Sequence, residues 1–266
     1  MDVTTGMECY YLMNKSRAIK TSLSILAIVL IWTIVSELGV VSSYVLPSPA
    51  KVFDSFLKML KSGEIFEDIY ISYIRVLKGF GIATLFAFLL AMVRVIFPKC
   101  SDYYENIVQF LKNVPPLSLI SLLILWFGIG ETTKIGIIVL TSFFPIYLNT
   151  VKGFVSCDKK LLEVGEIYGY SKGKSFLRIR LPYAMSDILV GMRIGLGYSW
   201  RAIISAEMIA ASTGLGHMIL FAQQMSRTDK VIVGILVIGI VGYITDRLFA
   251  LVIDKALKGS KENGWD

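Results

Sequence analysis

The sequence predicts an all-α membrane protein with about six spanning helices, and three observations carry that expectation. The chain is 55% hydrophobic and only 18% charged, with a mean hydropathy of +0.67, outside the range of soluble domains. Six apolar runs approach the roughly 20 residues that a helix needs to cross a bilayer. Lys and Arg are also divided unevenly among the segments that join those runs, the mark of an oriented membrane chain. A soluble helical core of this composition would have to hide too much apolar surface beneath too little polar chain.

Residues 1–20 read as an N-terminal tail. The first apolar run, residues 23–42, carries one charge, Glu37, and no small-residue cleavage site closes it; it is expected to be a retained signal anchor. Leu46-Pro47-Ser48-Pro49 then favours an extended start to an outer connection. The run 52–60 is amphipathic, with Val52, Phe53, Phe56, Leu57 and Leu60 on one face. That face suits the membrane interface and packing against a bundle equally. Further spans are expected at 79–98, at 108–130 with a break at Pro115-Pro116, and at 135–154, 188–211 and 231–253. Residues 21–254 thus form one transmembrane domain, and 255–266 a C-terminal tail.

With the N-terminus inside, sixteen Lys and Arg fall on inner segments and six on outer ones. Both termini are therefore expected on the cytoplasmic side. The net charge of +7 follows from that bias and calls for no nucleic acid.

Catalytic chemistry is poorly supplied. Cys9, Cys100 and Cys157 are odd in number, fall on the reducing side, and show neither metal-ligand spacing nor a disulfide framework. His217 is the sole histidine and has no evident nucleophile or acid near it, so a structural role is expected. Gly169-Tyr170-Ser171-Lys172-Gly173-Lys174-Ser175 superficially matches a phosphate-binding loop. Such a loop needs four residues between its glycines and a preceding strand, and here there are three and no strand. No metal, cofactor or nucleotide site is expected on this chain.

The most informative stretch is a polar loop at about 155–182. It places Lys172, Lys174, Arg178 and Arg180 between strongly apolar segments, and it is longer than a turn needs to be. Glu163, Gly169, Ile179, Leu181 and Pro182 fall on the E-A-A-x3-G-x9-I-x-L-P pattern, with Val164 and Gly165 in place of its alanines. On these residues the chain resembles the permease subunits of bacterial binding-protein-dependent ABC importers. It looks like the nitrate/sulfonate/taurine branch through Leu46-Pro47-Ser48-Pro49, Ser72-x-x-Arg75 with Gly79-Phe80, and Pro116-Leu117 running to Trp126-Phe127-Gly128-Ile129-Gly130. Phe144-Pro145-Ile146, Gly191-Met192-Arg193, Ala206-Glu207-Met208 and Gly214-Leu215-Gly216 extend the likeness, which covers residues 44 to 254.

The resemblance implies a type I importer permease bundle that performs no covalent chemistry. It implies two ATP-hydrolysing subunits docked on the loop through Glu163, Val164, Gly165, Gly169, Ile179, Leu181 and Pro182. It further implies an extracytoplasmic solute-binding protein, and a second permease copy in a homodimer. ATP would be used by the partner, and the chain would lie in the bacterial inner membrane. A small anion such as a sulfonate, taurine or nitrate is the implied solute. An ion-coupled secondary transporter or channel without an ATPase is the alternative; it would use membrane acids as relays, for which Glu37, Glu207 and Asp246 are available.

The segment 188–211 carries Arg193, Arg201 and Glu207 at or near membrane depth, where a charge costs about 2.5–3.5 kcal/mol at mid-helix. These residues are expected to face a translocation path, a partner subunit or one another. Arg193 and Arg201 lie roughly 80° apart around the helix and about 12 Å apart along it. Gly191 and Gly195 form a small-residue pair that lets another helix approach closely.

Overall fold

A computed structural model describes residues 20, 22–39 and 41–262, and every regular element among them is helical. The described chain forms two compact units, one of residues up to Ser62 together with Phe221–Val233, the other of Gly63–Leu220 and the chain from Gly234 onward. Most of the tail 1–20, with Cys9, lies outside the described residues.

In the first unit, α1 (Ser22–Glu37) is followed by the proline-rich turn. Extended backbone around prolines leaves carbonyls without partners. Here α1 supplies them: Trp32 Nε1 donates to the Pro47 carbonyl at 3.0 Å and Ser36 Oγ to that of Leu46 at 3.3 Å. Pro49 opens α2 (Pro49–Ser62), where a missing N–H costs nothing. This helix is the amphipathic one expected from the sequence, but its buried face is rotated to Val52, Ser55 and Met59, leaving Phe53 exposed. Polar pairing accounts for the rotation. Ser55 hydrogen-bonds the buried Asp229 carboxylate, which also accepts from Arg227 at 2.7 and 3.0 Å.

The second unit is built on α3 (Glu64–Ile96), 33 residues long and therefore about 50 Å. Glu64 and Glu67 in its first turn suit the positive end of the helix dipole. Phe97 ends it because Pro98 opens α4 (Pro98–Leu111). The Pro115-Pro116 break starts α5 (Pro116–Phe127), and Gly128 to Gly130 turn the chain into α6 (Glu131–Val155). After α7 (Lys159–Ile167), α8 (Lys172–Ser175) and a π-helical turn at Phe176–Arg180, the chain enters α9 (Leu181–Ala210). A bend leads to α10 (Leu215–Gln224), and α11 (Thr228–Glu262) completes the described chain.

Among the described residues, three helices are long and apolar enough to cross a bilayer singly, namely α3, α6 and Thr228–Leu257 of α11. The segment Lys172–Ala210 and α10, bent by 45°, together make a fourth candidate. The expected spans at 23–42 and 108–130 correspond to shorter apolar helices. In the second of these, the Pro115-Pro116 break expected from the sequence and Gly128 bound the helix.

Helix α6 is the centre of the second unit, packed on α3 and α9. Lipid tails are as apolar as Leu, so helices in a membrane associate through close packing and hydrogen bonds. Both are present along α6 and α9: an added Cβ at Gly191 would lie 2.6 Å from that of Asn149, and one at Gly195 2.7 Å from Ile146 Cγ1. Between these contacts and the far end, Ser142 and Ser199 share a buried hydroxyl pair at 2.6 Å. Ile120, Leu123, Ile137 and Ala206 close the core where α5 meets α6 and α9.

Candidate functional site

The polar loop forms a capped two-helix hairpin. Asp158 starts α7 by accepting from the Lys160 amide at 2.9 Å, a side-chain N-cap. The helix ends with Tyr170 N–H on the Gly165 carbonyl and Gly169 N–H on that of Glu166, both at 2.9 Å. This is the paired 6→1 and 5→2 closure that needs a left-handed residue, and Gly169 has φ +68°. Ser171 Oγ then accepts from the Lys174 amide to cap α8. The phosphate-loop look-alike thus spans the Gly169 closure of α7 and the Ser171 cap of α8.

Gly165 is buried where Ile179 folds back on it; a Cβ there would fall 2.6 Å from Ile179 Cδ1. This pair clamps α7 to the π turn, and Phe176 joins the turn to α6 through Phe154, 5.2 Å between centroids. Leu181 and Pro182 begin α9 with no break after the π turn. Glu163 and Val164 are exposed on α7, beside the bare side chains of Ile167 and Tyr168, which are 83% and 75% exposed. Leu177 adds a further exposed apolar side chain, and Lys174 lies 4.3 Å over the Tyr170 ring. Cys157 is buried beside the loop, and that burial pushes its thiol up, away from reactivity.

The charged residues of α9 separate into three environments. Arg193 pairs with Asp246 of α11 through two bonds of 2.6 and 2.7 Å, with both side chains nearly half exposed. Arg201 is exposed and lies 5.6 Å over the Tyr198 ring; among the described residues it has no carboxylate within ion-pair distance. Glu207 is wholly buried.

Around Glu207 the fold assembles a polar cluster whose members are scattered along the sequence. Arg75 Nη1 donates to Glu207 Oε1 at 2.8 Å, and the Ser72 hydroxyl lies 2.8 Å from both carboxylate oxygens. The remaining donors of Arg75 go to Glu131, at 2.7 and 2.8 Å, and to the carbonyl and hydroxyl of Thr213, at 2.9 and 3.2 Å. All guanidinium nitrogens are thus engaged in the fork geometry that suits carboxylates. Lys134, also buried, donates to Glu131 at 2.7 Å.

The same cluster caps α10. Three consecutive amides at its start are taken by side chains: Gly214 N–H by Asp68 at 2.8 Å, Leu215 N–H by Ser72 at 3.0 Å, and Gly216 N–H by Glu207 at 3.0 Å. Carboxylates are favoured at this end of a helix dipole. Gly214 sits at φ +108°, and a Cβ on it would meet the Glu207 carboxylate at 2.5 Å, so only glycine fits the bend. Removing one partner of a buried ion pair typically costs about 3–5 kcal/mol, because the other charge is stranded.

Of the sequence-derived candidates, the loop set is brought together, while Arg193, Arg201 and Glu207 are not in contact with one another. Arg75 and Glu131 were missed as site residues. One signal was available, since Asp68, Ser72 and Arg75 are spaced i, i+4, i+7 and so share one helical face. Their carboxylate partner is 132 positions away, and no local pattern could supply it. His217 is half-buried in the first turn of α10.

Comparison with known proteins decides what these arrangements belong to. Residues 83–258 match the family model of the binding-protein-dependent transport system inner membrane component. The chain belongs to this family. It is 36% identical over 231 residues to the "Putative aliphatic sulfonates transport permease protein SsuC" of Bacillus subtilis (strain 168), covering 87% of this chain and 84% of that one. It is 31% identical over 237 residues to the taurine transport system permease protein TauC of Escherichia coli (strain K12), covering 87% and 86%. The nitrate import permease protein NrtB of Synechocystis sp. (strain ATCC 27184 / PCC 6803 / Kazusa) is 28% identical over 246 residues, covering 89% and 88%. Among solved structures, a chain of the inward-facing MetNI methionine ABC transporter shares the fold, with a TM-score of 0.61 at 15% identity over 77% of this chain and 97% of that one. The protein is accordingly the multi-pass membrane permease subunit of an ATP-driven importer, with the all-α importer-permease fold expected from its sequence.

Proposed function

We propose that two copies of this permease enclose the pathway for a small anion of the sulfonate, taurine or nitrate class. A solute-binding protein delivers the anion outside, and two ATPase subunits dock inside on residues 155–182. Both termini are cytoplasmic in this reading, the chain resides in the bacterial inner membrane, and ATP hydrolysis belongs wholly to the partner. The observation that carries it is the hairpin of α7 and α8. It is rigidly capped, yet Glu163, Val164, Ile167, Tyr168 and Leu177 are presented bare, an anchor set of the kind that protein partners bury. The names of the relatives SsuC, TauC and NrtB support the solute class, and Arg193 and Arg201 offer cations that would offset part of an anion's desolvation.

Reconstitution with a co-expressed ATPase and binding protein tests the reading. Uptake of radiolabelled sulfonate, taurine or nitrate should require ATP and both partners. Glu163→Lys should leave the permease in the membrane at normal level but abolish co-purification of the ATPase and uptake together. Normal co-purification and uptake would sink the docking assignment. Cysteine replacing Ser171 should label only from inside, and cysteine replacing Ser48 only from outside; labelling of both from one face would reverse the topology.

A further inference from the structure

The Arg75 cluster divides into two neutral halves that can part without stranding a charge. On one side, Arg75 is bound to the wholly buried Glu207, which is also held by Ser72 and the Gly216 amide. On the other, Glu131 and Lys134 belong to the same turn of α6 and carry their own ion pair, 2.7 Å long. Among the polar contacts of the cluster, the Arg75–Glu131 fork is what joins the two halves. Glu131 differs from Glu207 in one decisive respect: its side chain is 59% exposed, against 0%. Water can therefore replace Arg75 around Glu131 but not around Glu207.

The backbone around Glu131 is suited to movement. It is the first residue of α6, preceded by Gly128 with φ +75° and by Gly130, and flanked by the exposed side chains of Trp126, Phe127 and Ile129. The close contact of α6 with α3 begins further along, where Gly79 meets Ile138. In contrast, the α9–α10 bend is fastened to α3 by Asp68, Ser72 and Arg75 together.

We propose that Glu131 is a releasable tether: the Arg75–Glu131 fork opens and closes during transport, freeing the α5–α6 corner, while Arg75–Glu207 stays closed and keeps α3, α9 and α10 as one block. Its transport role rests on the importer reading, but its structural part does not, and the test separates the two. Hydrogen exchange would be measured on the full chain, assembled with its ATPase in lipid nanodiscs, for wild type and Glu131→Gln. The amides of Ile135 and Gly136, which bond the carbonyls of the first α6 residues, should exchange at least about tenfold faster in Glu131→Gln. Those of Leu215 and Gly216 should change less than about twofold. Equal acceleration at both segments, acceleration at the bend only, or none at either would overturn the tether.

In the same assemblies with the binding protein, ATP consumed per solute imported should rise at least about threefold in Glu131→Gln, because the corner no longer recloses on Arg75. A ratio equal to that of wild type would overturn the role in transport. Should the wild-type assembly import no solute, the importer reading fails while the exchange result still decides the tether. A purely structural Glu131 predicts a third pattern, in which melting temperature, hydrolysis and uptake fall in parallel with the ratio unchanged, and that too would overturn it.

Discussion

Arg75 and Arg193 grip carboxylates with nearly the same geometry in opposite surroundings. The bonds of Arg75 to Glu207 and Glu131 measure 2.7–2.8 Å and those of Arg193 to Asp246 2.6–2.7 Å. The Arg75–Glu207 pair is sealed inside one chain, whereas both members of the Arg193–Asp246 pair are nearly half exposed. Bond length therefore says little about what either pair does. The buried pair is worth what the other partner would cost if stranded. The open pair, on helices that lie at membrane depth, has to meet water, a second subunit or substrate, since lipid would solvate it poorly.

That contrast can be broken most forcefully at Glu207. Glu207→Ala should leave the buried Arg75 without one of its two carboxylates and remove the Gly216 cap of α10, a loss of about 3–5 kcal/mol. Little folded permease should then be recovered from membranes, and size-exclusion profiles in mild detergent report it. A monodisperse, wild-type-like profile would mean that the cluster is not a unit.

A smaller effect is expected from Gly195→Leu. It forces a side chain against Ile146 and the Ser142 carbonyl, and overpacking of this kind costs about 1–3 kcal/mol. The melting temperature should drop while ATPase binding survives, because the docking hairpin is untouched. Loss of ATPase binding at normal melting temperature would contradict this.

The smallest stability change belongs to the open charges. Arg193→Gln should lower stability by no more than about 1 kcal/mol, and Arg201→Ala by less still, since its described contact is the Tyr198 ring. Uptake is where these variants should register, with Arg201→Glu slower than Arg201→Ala. Wild-type uptake by Arg201→Glu would remove that residue from the pathway. A collapse in melting temperature on Arg193→Gln, rescued by Asp246→Asn, would turn the open pair into a structural one.

Much of this contrast was legible in the sequence, though unequally. Hydropathy located the α3, α6, α9 and α11 spans because burial and lipid exposure both select apolar side chains along a whole helix. In the third run it continued past Gly128, since an apolar residue in a turn has the same hydropathy as one in a helix. The 155–182 loop stood out by its polarity and by its match to the family pattern, and Gly169 was readable as a reversal because it acts within a few residues; the caps at Asp158 and Ser171, equally local, were not picked out. Gly191 and Gly195 were readable as a close-approach surface, although their partner, α6, was not. Arg75 was passed over because its value lies in partners 56, 132 and 138 positions away. Phe53 was assigned to the wrong face of α2 for a similar reason, as the Ser55–Asp229 bond that turns the helix spans 174 positions.

The unbroken passage from the π turn into α9 gives the molecule a lever. From Leu181 to Ala210 the helix has 30 residues, about 45 Å of stiff rod. At its lower end it continues into the π turn, whose Ile179 packs on Gly165 of α7, and at its upper end it carries Glu207, and with it the Arg75 block. If the rod pivots as one piece about its lower end, a tilt of roughly 5° imposed there swings the far end by about 4 Å. That is more than the length of the hydrogen bonds between Arg75 and Glu131. A modest rotation of the hairpin would therefore suffice, by this lever arm, to unseat a contact at the far end of the helix.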